Sequence, residues 1–385
     1  MDLKKIGIVG TGYIAKGLVL ALENKHEVVV SKVLTRRKTS ECTDFPKKEL
    51  LTNNVDELIE HADLIVECSG DVIHGTDMID KCIRASLPIV TMNSELHVTT
   101  GSYFVKKGFI TEAEGDQPGC LAKLKEEALE MGFKPLVYGN VKGFLNHNPS
   151  LKEMQYWSKK SGMSLQMVTS FTDGTKVEIE QALVANGLNA GIAGDGLLGM
   201  DVEDIYSGAT FLADKAKELG YPISDYILSA KPSPAVFITA EHDENQRKAL
   251  MNYKMGEGPY YTLFGYHHLC YLEIYKTIKR VLYGGGVLLN NGEFPKISVA
   301  AIAKRKLKPG QLIVNGIGSF EVRGKACKIA DNPSHVPIGL LKNVVVKRPI
   351  EPGQPLHFDD IEIPDSLALR VWQDIEKKAR EKPTI

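Results

Sequence analysis

Two glycines and an alanine follow the first apolar run of the chain, at a spacing suited to binding a phosphate group. Residues 6–9 are mostly apolar, Gly10-x-Gly12-x-x-Ala15 comes next, and apolar residues then recur at helical spacing. A strand, glycine turn and helix in this order direct backbone N–H groups and the positive end of a helix dipole toward a pyrophosphate. A structural glycine turn is the alternative. The nucleotide interpretation assigns cofactor binding to Gly10, Thr11, Gly12, Tyr13 and Ile14.

Basic residues follow the second predicted strand, where NAD enzymes usually carry an acid. The apolar run 28–34 leads into Thr35, Arg36, Arg37 and Lys38. An acid at this point bonds the ribose 2′-OH of NAD, whereas guanidinium groups bind a 2′-phosphate through charge-assisted hydrogen bonds. Arg36 and Arg37 therefore favour NADP(H), with NAD as the second choice. A solvated basic turn is the alternative interpretation.

Small and polar residues follow the next two predicted strands. Ser69 and Gly70 come after the buried run 62–68, and Asn93 and Glu95 come after the strand at 87–91. In a doubly wound sheet the loops at the carboxyl ends of the strands line the ligand crevice. We therefore expect Ser69, Gly70 and Asn93 to contact the cofactor and Glu95 to contact the substrate.

Two further segments carry groups suited to proton transfer. Glu114 and Asp116 precede an amphipathic helix, and residues 170–176 lead into another helix through Asp173, Thr175 and Lys176. A carbonyl that accepts a hydride needs a proton donor or a cation at its oxygen, and Lys176 is the candidate, with Asp173 beside it. The alternatives are structural: Glu114 and Asp116 as solvated acids at a capped helix start, Thr172 or Thr175 as an N-cap, and Lys176 in a surface ion pair.

The charge balance excludes several function classes. Lysine and arginine number 47 against 48 acidic residues, which gives a net charge of −1. We therefore expect no nucleic-acid partner and no anionic membrane partner. The six cysteines lack metal-binding spacing, and the N-terminus leads directly into a strand without a signal peptide. These features predict a cytoplasmic protein with reduced thiols.

The order of predicted elements indicates an α/β protein of three domains. Strands and helices alternate through 1–145, which predicts a Rossmann domain with a doubly wound parallel sheet. A central α+β domain for substrate binding and dimerisation is expected at 146–293. Residues 299–311 and 344–354 are near copies, each a strand followed by a basic pair and a Pro-Gly turn. This repeat predicts a small β domain at 294–385, closed by a C-terminal helix.

With these motifs in place, the chain resembles the homoserine-dehydrogenase-like reductases that carry a C-terminal SAF domain, a β-clip fold. The best-known member of that family is the deoxyxylulose-phosphate reductoisomerase-like enzyme of bacterial isoprenoid synthesis. The resemblance rests on six motifs: Gly10-x-Gly12-x-x-Ala15, Met92-Asn93-Ser94-Glu95, Glu114-Gly115-Asp116-Gln117-Pro118, Ser170-Phe171-Thr172-Asp173-Gly174-Thr175-Lys176, Gly258-Pro259-Tyr260-Tyr261 and His268-Leu269-Cys270. It implies catalytic roles for Glu114, Asp116, Asp173 and Lys176, and substrate contacts for Glu95, Thr175 and His268.

The sequence departs from homoserine dehydrogenases at one catalytic position. Their motif after the strand at 87–91 ends in a catalytic lysine, and Ser94 stands there instead. We therefore expect NADPH-dependent hydride transfer to a small polar, phosphorylated or unphosphorylated, hydroxy-carbonyl compound. Homoserine dehydrogenase and a non-catalytic NADP(H)-binding sensor are the alternatives. A divalent metal would assist such chemistry, and Glu114, Asp116 and Asp173 are the oxygen donors available to it. A homodimer or higher oligomer is expected.

Overall fold

The computed structural model describes residues 3–230 and 234–381, which form two compact units. Unit 1 comprises residues 1–119, 268–293 and 366–375, and unit 2 comprises residues 120–267, 294–365 and 376–385. Each unit is therefore assembled from separate stretches of the chain. The division into domains at 145 and 293 remains a prediction, and it differs from these units because residues 294–365 belong with 120–267.

Unit 1 contains a six-stranded parallel sheet with the strand order β3-β2-β1-β4-β5-β6. Its elements up to residue 130 are β1 Lys4–Val9, α1 Tyr13–Leu22, β2 Val28–Leu34, β3 Leu51–Thr52, α2 Val55–Glu60, β4 Leu64–Glu67, α3 Val72–Arg84, β5 Ile89–Thr91, α4 Ser94–Leu96, α5 Ser102–Phe104, β6 Ile110–Glu112 and α6 Gln117–Glu130. A π-helical turn, His97–Gly101, joins α4 to α5. The helix α6 passes from unit 1 into unit 2.

Alternation along the strands gives this sheet a core on each face. Ile65 and Val66 are adjacent in β4 and belong to different apolar clusters, because successive strand residues point to opposite faces. The helix α1 packs in the first cluster and α3 in the second. The predicted Rossmann-like parallel sheet is confirmed. The order of its strands changes direction between β1 and β4.

Unit 2 contains a mixed five-stranded sheet with the order β11-β10-β7-β9-β8. The corresponding elements are β7 Lys134–Lys142, α7 Leu151–Ser161, α8 Leu165–Thr172, α9 Thr175–Gly187, β8 Met200–Asp201, α10 Ile205–Leu219, β9 Ile223–Leu228, β10 Val236–Glu241, α11 Arg247–Asn252 and β11 Tyr260–Gly265. The strand β7 was counted with the first domain in the sequence prediction, but it is the central strand of this second sheet. It runs parallel to β9 and antiparallel to β10.

The remaining elements are α12 Ile274–Leu282, β12 Ile297–Ala303, β13 Leu312–Asn315, β14 Val322–Lys328, β15 Lys342–Val346, β16 Ile361–Glu362 and α13 Leu367–Glu381. Single 3-10 turns lie at Thr39–Glu41, Lys48–Leu50, Glu244–Gln246, Cys270–Leu272, Ile338–Leu340 and Phe358–Asp360. The helix α12 belongs to unit 1, and α13 begins in unit 1 and ends in unit 2. None of the helices in the described part of the chain has the length and hydropathy of a membrane span.

The two near-copies in the C-terminal stretch pair with each other. Leu307 and Ile350 occupy equivalent places in the repeat, and each donates its backbone N–H to the other's carbonyl, at 2.9 and 3.2 Å. The Pro-Gly turns that follow place Gly310 and Gly353 at φ +80° and +83°, where glycine is strongly favoured. The predicted small β region is therefore present, with β12 and β14 in one sheet and β13, β15 and β16 in another. Its identity as a SAF fold stays a prediction.

Candidate functional site

The glycine turn after β1 has the shape that a phosphate group requires. Gly10 has φ +120°, and a Cβ there would lie 2.9 Å from the carbonyl oxygen of Cys68. Gly12 caps α1 in an extended conformation, and a Cβ at this residue would meet no atom within 4 Å. Ala15 is fully buried against the sheet. The turn therefore leaves open space in front of the N-terminus of α1, as binding of a pyrophosphate needs. Tyr13 and Ile14 form the first residues of that helix.

The arginines after β2 lie beside this turn. The Arg37 guanidinium donates a hydrogen bond to Thr11 Oγ1 at 3.1 Å, and Thr11 Oγ1 also lies 3.2 Å from Thr35 Oγ1. The Arg36 guanidinium is half exposed and bonds Asp71 Oδ2 at 2.7 Å. Both cations therefore stand at the end of the second strand, as predicted, and Arg36 already faces one carboxylate.

Glu67, the last residue of β4, organises two of the predicted cofactor-binding residues. Its Oε1 accepts hydrogen bonds from the Ser69 backbone N–H at 2.9 Å, the Ser69 hydroxyl at 2.5 Å and the Asn93 side-chain amide at 3.4 Å. Its Oε2 accepts a bond from Thr91 Oγ1 at 3.0 Å. Burial raises the pKa of Glu67. Gly70 follows at φ +64°. Glu67 was not predicted from the sequence, although an acid that ends an apolar strand is a visible signal.

A second buried acid, Glu112, ends β6 and connects to Asp116. Ser94 Oγ lies 3.2 Å from Glu112 Oε1 and 3.1 Å from Asp116 Oδ2. His97 Nδ1 lies 2.9 Å from Glu112 Oε2, and both side chains have 0% exposure. Neither Glu112 nor His97 was predicted from the sequence. Glu95 belongs to the same helical turn as Ser94, and its carbonyl accepts a bond from Thr99 Oγ1 at 2.6 Å.

The loop that carries Glu114 and Asp116 packs on the segment before α12. The Cys270 N–H donates to the Gly115 carbonyl at 3.0 Å, and the Glu114 N–H donates to Thr277 Oγ1 at 2.8 Å. Lys276 Nζ lies 3.6 Å from Glu114 Oε2. His268 Nε2 lies 3.4 Å from the side-chain amide of Gln117. The predicted residues Glu114, Asp116 and His268 are therefore brought to one loop cluster of unit 1.

In unit 2, Asp173 forms a buried ion pair with a residue that the sequence analysis did not consider. Its Oδ2 lies 2.5 Å from Lys304 Nζ, with side-chain exposures of 0% and 1%. Its Oδ1 accepts the Thr175 N–H at 2.9 Å. Burial raises the pKa of Asp173 and lowers that of Lys304, and each charge opposes the shift of the other. Asp173 is therefore paired with Lys304, and its catalytic role stays a prediction.

Lys176 lies at the start of α9, with a side chain only 11% exposed, and its Nζ is 4.0 Å from Glu180 Oε1. Glu180 Oε2 also accepts bonds from the Asn140 amide at 2.8 Å and from Lys142 Nζ at 3.0 Å. The alternative of a surface ion pair is wrong for Lys176, since both side chains are largely buried.

The structure also corrects the N-cap alternative at α9. Gly174, at φ +85°, is the N-cap and provides no side-chain hydrogen bond. Thr172 ends α8, and Thr175 Oγ1 accepts the N–H of Gly324 at 2.9 Å. The hydroxyl of Thr175 therefore holds β14 rather than a helix end. Within 3–230 and 234–381, no group of three or more metal-ligating side chains is present.

One family model matches the chain. Residues 115–274 match the model described as "Oxidoreductase DRL, catalytic domain". The match begins in the Glu114–Gln117 loop and includes Asp173 and Lys176. The comparison with curated proteins gives no match.

Three solved structures that resemble this chain are distant from it in sequence. A probable dehydrogenase from Thermotoga maritima is 15% identical, with 74% of this chain and 91% of that chain covered, at a TM-score of 0.44. A UDP-N-acetylglucosamine 3-dehydrogenase from Acidithiobacillus ferrooxidans is 9% identical, with coverages of 76% and 93% and a TM-score of 0.43. A putative myo-inositol dehydrogenase from Sinorhizobium meliloti 1021 is 10% identical, with coverages of 75% and 92% and a TM-score of 0.40.

The family match and the geometry of unit 1 agree on a reaction class. The matched domain is that of an oxidoreductase, and the glycine turn, open at Gly12, fits the pyrophosphate of a dinucleotide. The chain is an NAD(P)-dependent oxidoreductase.

Proposed function

We propose that this protein transfers a hydride between NADP(H) and a small polar hydroxy-carbonyl compound. The proposal takes its substrate class from the sequence resemblance, in which a reductoisomerase-like reaction on deoxyxylulose phosphate is the most concrete version. The family match supports an oxidoreductase catalytic domain at 115–274. The same proposal includes a SAF identity for the C-terminal β region and a homodimer or higher oligomer, which light scattering would measure.

The chemistry of the step defines what the chain must supply. When bound, the nicotinamide supplies the hydride. Negative charge then develops on the carbonyl oxygen, so a proton donor or a cation must lie near it. Lys176 and Asp116 are the candidates for these tasks. A divalent metal remains part of the proposal, without an assigned ligand set.

The observation that carries the NADP(H) preference is the pair Arg36 and Arg37 at the end of β2, beside Thr11 of the glycine turn. Each charge-assisted hydrogen bond to a 2′-phosphate is worth about 1.5–3 kcal/mol. The double variant Arg36→Ala/Arg37→Ala should therefore weaken NADPH binding by at least tenfold and leave NADH binding nearly unchanged. Dissociation constants from fluorescence titration measure both. To bind the 2′-phosphate, Arg36 must give up its hydrogen bond to Asp71 or bind both groups at once. This competition reduces the contribution of Arg36 to NADPH affinity, so the expected loss is given only as a minimum.

Lys38→Ala is the matched control for this test. Lys38 follows directly in the sequence and is largely exposed, with Glu41 at 3.9 Å, so its removal lowers the net charge without removing a predicted phosphate ligand. An NADPH/NADH affinity ratio that is equal in the double variant and in the wild type contradicts the assignment.

The substrate is tested by hydride transfer from NADPH labelled with deuterium at the nicotinamide. Deoxyxylulose phosphate should gain deuterium at a carbon, as mass spectrometry would detect. Oxidation of homoserine with NADP would instead support homoserine dehydrogenase. Tight NADPH binding without transfer to any hydroxy-carbonyl compound would support the sensor alternative and contradict the proposed function.

A further inference from the structure

An ion pair in unit 1 joins the loops that follow two strands on opposite sides of β1. The guanidinium of Arg36, which follows β2, donates a hydrogen bond to Oδ2 of Asp71, which follows β4, at 2.7 Å. In the sheet, β1 lies between these two strands, and neighbouring strands are about 4.8 Å apart. The ion pair therefore crosses the carboxyl end of β1, where the glycine turn begins at Gly10. A dinucleotide bound at this turn lies next to the pair.

Asp71 is the fixed member of the ion pair. Its Oδ1 accepts the His74 N–H at 3.1 Å, because Asp71 is the N-cap of α3. Its own N–H donates to Ser69 Oγ at 3.3 Å, and the Ser69 hydroxyl is in turn bonded to the buried Glu67. The Asp71 side chain is only 11% exposed. These contacts fix the position of its carboxylate.

Arg36 is the mobile member, since its side chain is 54% exposed and a long side chain of this kind has many rotamers. When it bonds Asp71, its guanidinium is turned toward the loop after β4, whereas a 2′-phosphate requires it at the end of β2. Arg37 differs, because its hydrogen bond goes to the neutral Thr11 hydroxyl at 3.1 Å and its ion pair with Asp44 spans 4.0 Å. Asp71 therefore competes with the cofactor for Arg36 in particular.

We propose that Asp71 is a specificity-determining residue, which holds Arg36 away from the 2′-phosphate and so reduces the preference of the site for NADPH over NADH. This inference rests on the proposed function. When the arrangement that binds a ligand is only partly populated, the affinity falls in proportion to that population. NADPH requires Arg36 to be released from Asp71. NADH carries no 2′-phosphate, so only the affinity for NADPH is reduced.

Asp71→Asn tests this inference directly. Asparagine is as good an N-cap as aspartate, so the variant keeps the start of α3 and removes the charge that holds Arg36. We expect NADPH to bind about three- to tenfold more tightly and the affinity for NADH to change by less than about twofold. Fluorescence titration of the full chain with each cofactor measures both. An NADPH/NADH affinity ratio that is unchanged or lower overturns the inference.

Asp80→Asn is the matched control. Asp80 lies in the same helix, its side chain is 12% exposed, and it accepts a hydrogen bond from Arg84 at 2.8 Å. The variant removes the same charge from a similar ion pair near the other end of α3, so its affinity ratio should equal that of the wild type. An equal increase in the two variants would reveal a general effect of net charge and would overturn the inference.

A double-mutant cycle tests whether Asp71 acts through Arg36. In the Arg36→Ala background, Asp71→Asn should no longer raise the affinity ratio, because the guanidinium that it releases is absent. An equal increase with and without Arg36 overturns the inference. The proposed NADP(H) preference fails separately, by an unchanged ratio in Arg36→Ala/Arg37→Ala. If that double variant loses NADPH affinity while Asp71→Asn leaves the ratio as in the wild type, only the role of Asp71 is contradicted.

Discussion

Glu67 and Glu112 stand at the carboxyl ends of β4 and β6 with 0% exposure, on either side of Thr91 at the end of β5. Each accepts hydrogen bonds from the loops that follow the strands. An unpaired buried polar group costs about 1–3 kcal/mol, so such acids persist only where donors surround them. These two acids therefore fix the loops that carry Ser69 and Asn93, which are expected to meet the cofactor, and the turn in which Ser94 precedes Glu95, which is expected to meet the substrate.

The predicted catalytic role of Lys176 is testable by substitution of this one residue. Lys176→Met removes the ammonium group while keeping the length of the side chain. If that group stabilises the charge on the substrate oxygen, kcat should fall on the order of a hundredfold or more. NADPH affinity should remain unchanged, because the glycine turn lies in unit 1. Steady-state kinetics and NADPH titration measure both. This expectation holds whether Lys176 gives a proton or only a charge.

Lys142→Met is the matched control for this variant. Lys142 Nζ also faces Glu180, at 3.0 Å, so its removal takes a similar charge from the same acid. We expect turnover within a few-fold of the wild type for Lys142→Met. Equal losses in the two variants, or a Lys176→Met enzyme that is nearly as active as the wild type, would return Lys176 to a structural role.

At the scale of elements, α9 is held against the C-terminal β region along its buried face. The Gly324 N–H donates to Thr175 Oγ1 at 2.9 Å, and the Ala326 N–H donates to Glu178 Oε2 at 2.8 Å. Gly324 and Ala326 are alternate residues of β14, so both N–H groups point to the same side. Polar side chains of the helix thereby complete the hydrogen bonding of a strand edge, and the motif at 173–176 is fixed by residues far away in the sequence.

Glu178 gives this contact a pH dependence. Burial raises its pKa from 4.5 to about 8, a shift partly offset by the Ala326 N–H and by Arg323 and Lys325. The folded chain therefore binds a proton that the unfolded chain has released between these pH values. The free energy of unfolding should fall as the pH rises from 4.5 toward 8, by at most about 1.4 kcal/mol per pH unit. Asp225, with a pKa raised to about 6 by burial, contributes in the same direction at lower pH.

Glu178→Gln should flatten this profile between pH 6.5 and 8, because glutamine keeps the acceptor for the Ala326 N–H and cannot ionise. Urea denaturation across the pH range measures it. Glu218→Gln, an exposed acid of the same unit paired with Lys215, should retain the wild-type slope. A slope that is the same in all three proteins would show that Glu178 is already ionised in the native state.

Local sequence patterns predicted the helices, strands and turns better than they predicted which distant residues contact one another. The glycine turn and the two Pro-Gly repeats were predicted because a strand or a turn depends on residues a few positions apart. The domain membership of β7 and the partner of Asp173 were not predicted. Lys304 lies 131 residues from Asp173 in the chain, and no spacing rule connects them. Glu112 and His97 were missed for the same reason, since only the fold brings β6 beside the turn after β5.

At the scale of the whole molecule, each unit takes residues from three stretches of the chain. Removal of everything after residue 293 is expected, from the sequence, to leave NADPH binding largely intact and to reduce turnover. In the structure, this truncation would also remove packing from unit 1 and polar contacts from unit 2. Trp372, fully buried, belongs to a stretch of unit 1, and Asp173 and Glu178 of unit 2 would both lose partners. A single substitution at Lys304 distinguishes an effect on the stability of unit 2 from an effect on NADPH binding more clearly.

Lys304→Met leaves the buried Asp173 carboxylate without its counter-ion and also removes a 2.6 Å hydrogen bond to the Ser319 carbonyl. Loss of one member of a buried ion pair typically costs about 3–5 kcal/mol, so denaturation of unit 2 should shift strongly. The internal repeat supplies the control: Lys347 occupies the equivalent position before Ile350 and is exposed, so Lys347→Met should cost under about 1 kcal/mol.

NADPH affinity should be unchanged in both variants at temperatures where they are folded, because the glycine turn, Arg36 and Arg37 belong to unit 1. Urea denaturation measures the loss of stability in each variant, and NADPH titration measures whether cofactor binding is affected. Equal stability losses in the two variants would contradict the assigned ion pair, and a loss of NADPH affinity in folded Lys304→Met would contradict the independence of the nucleotide site from the C-terminal β region.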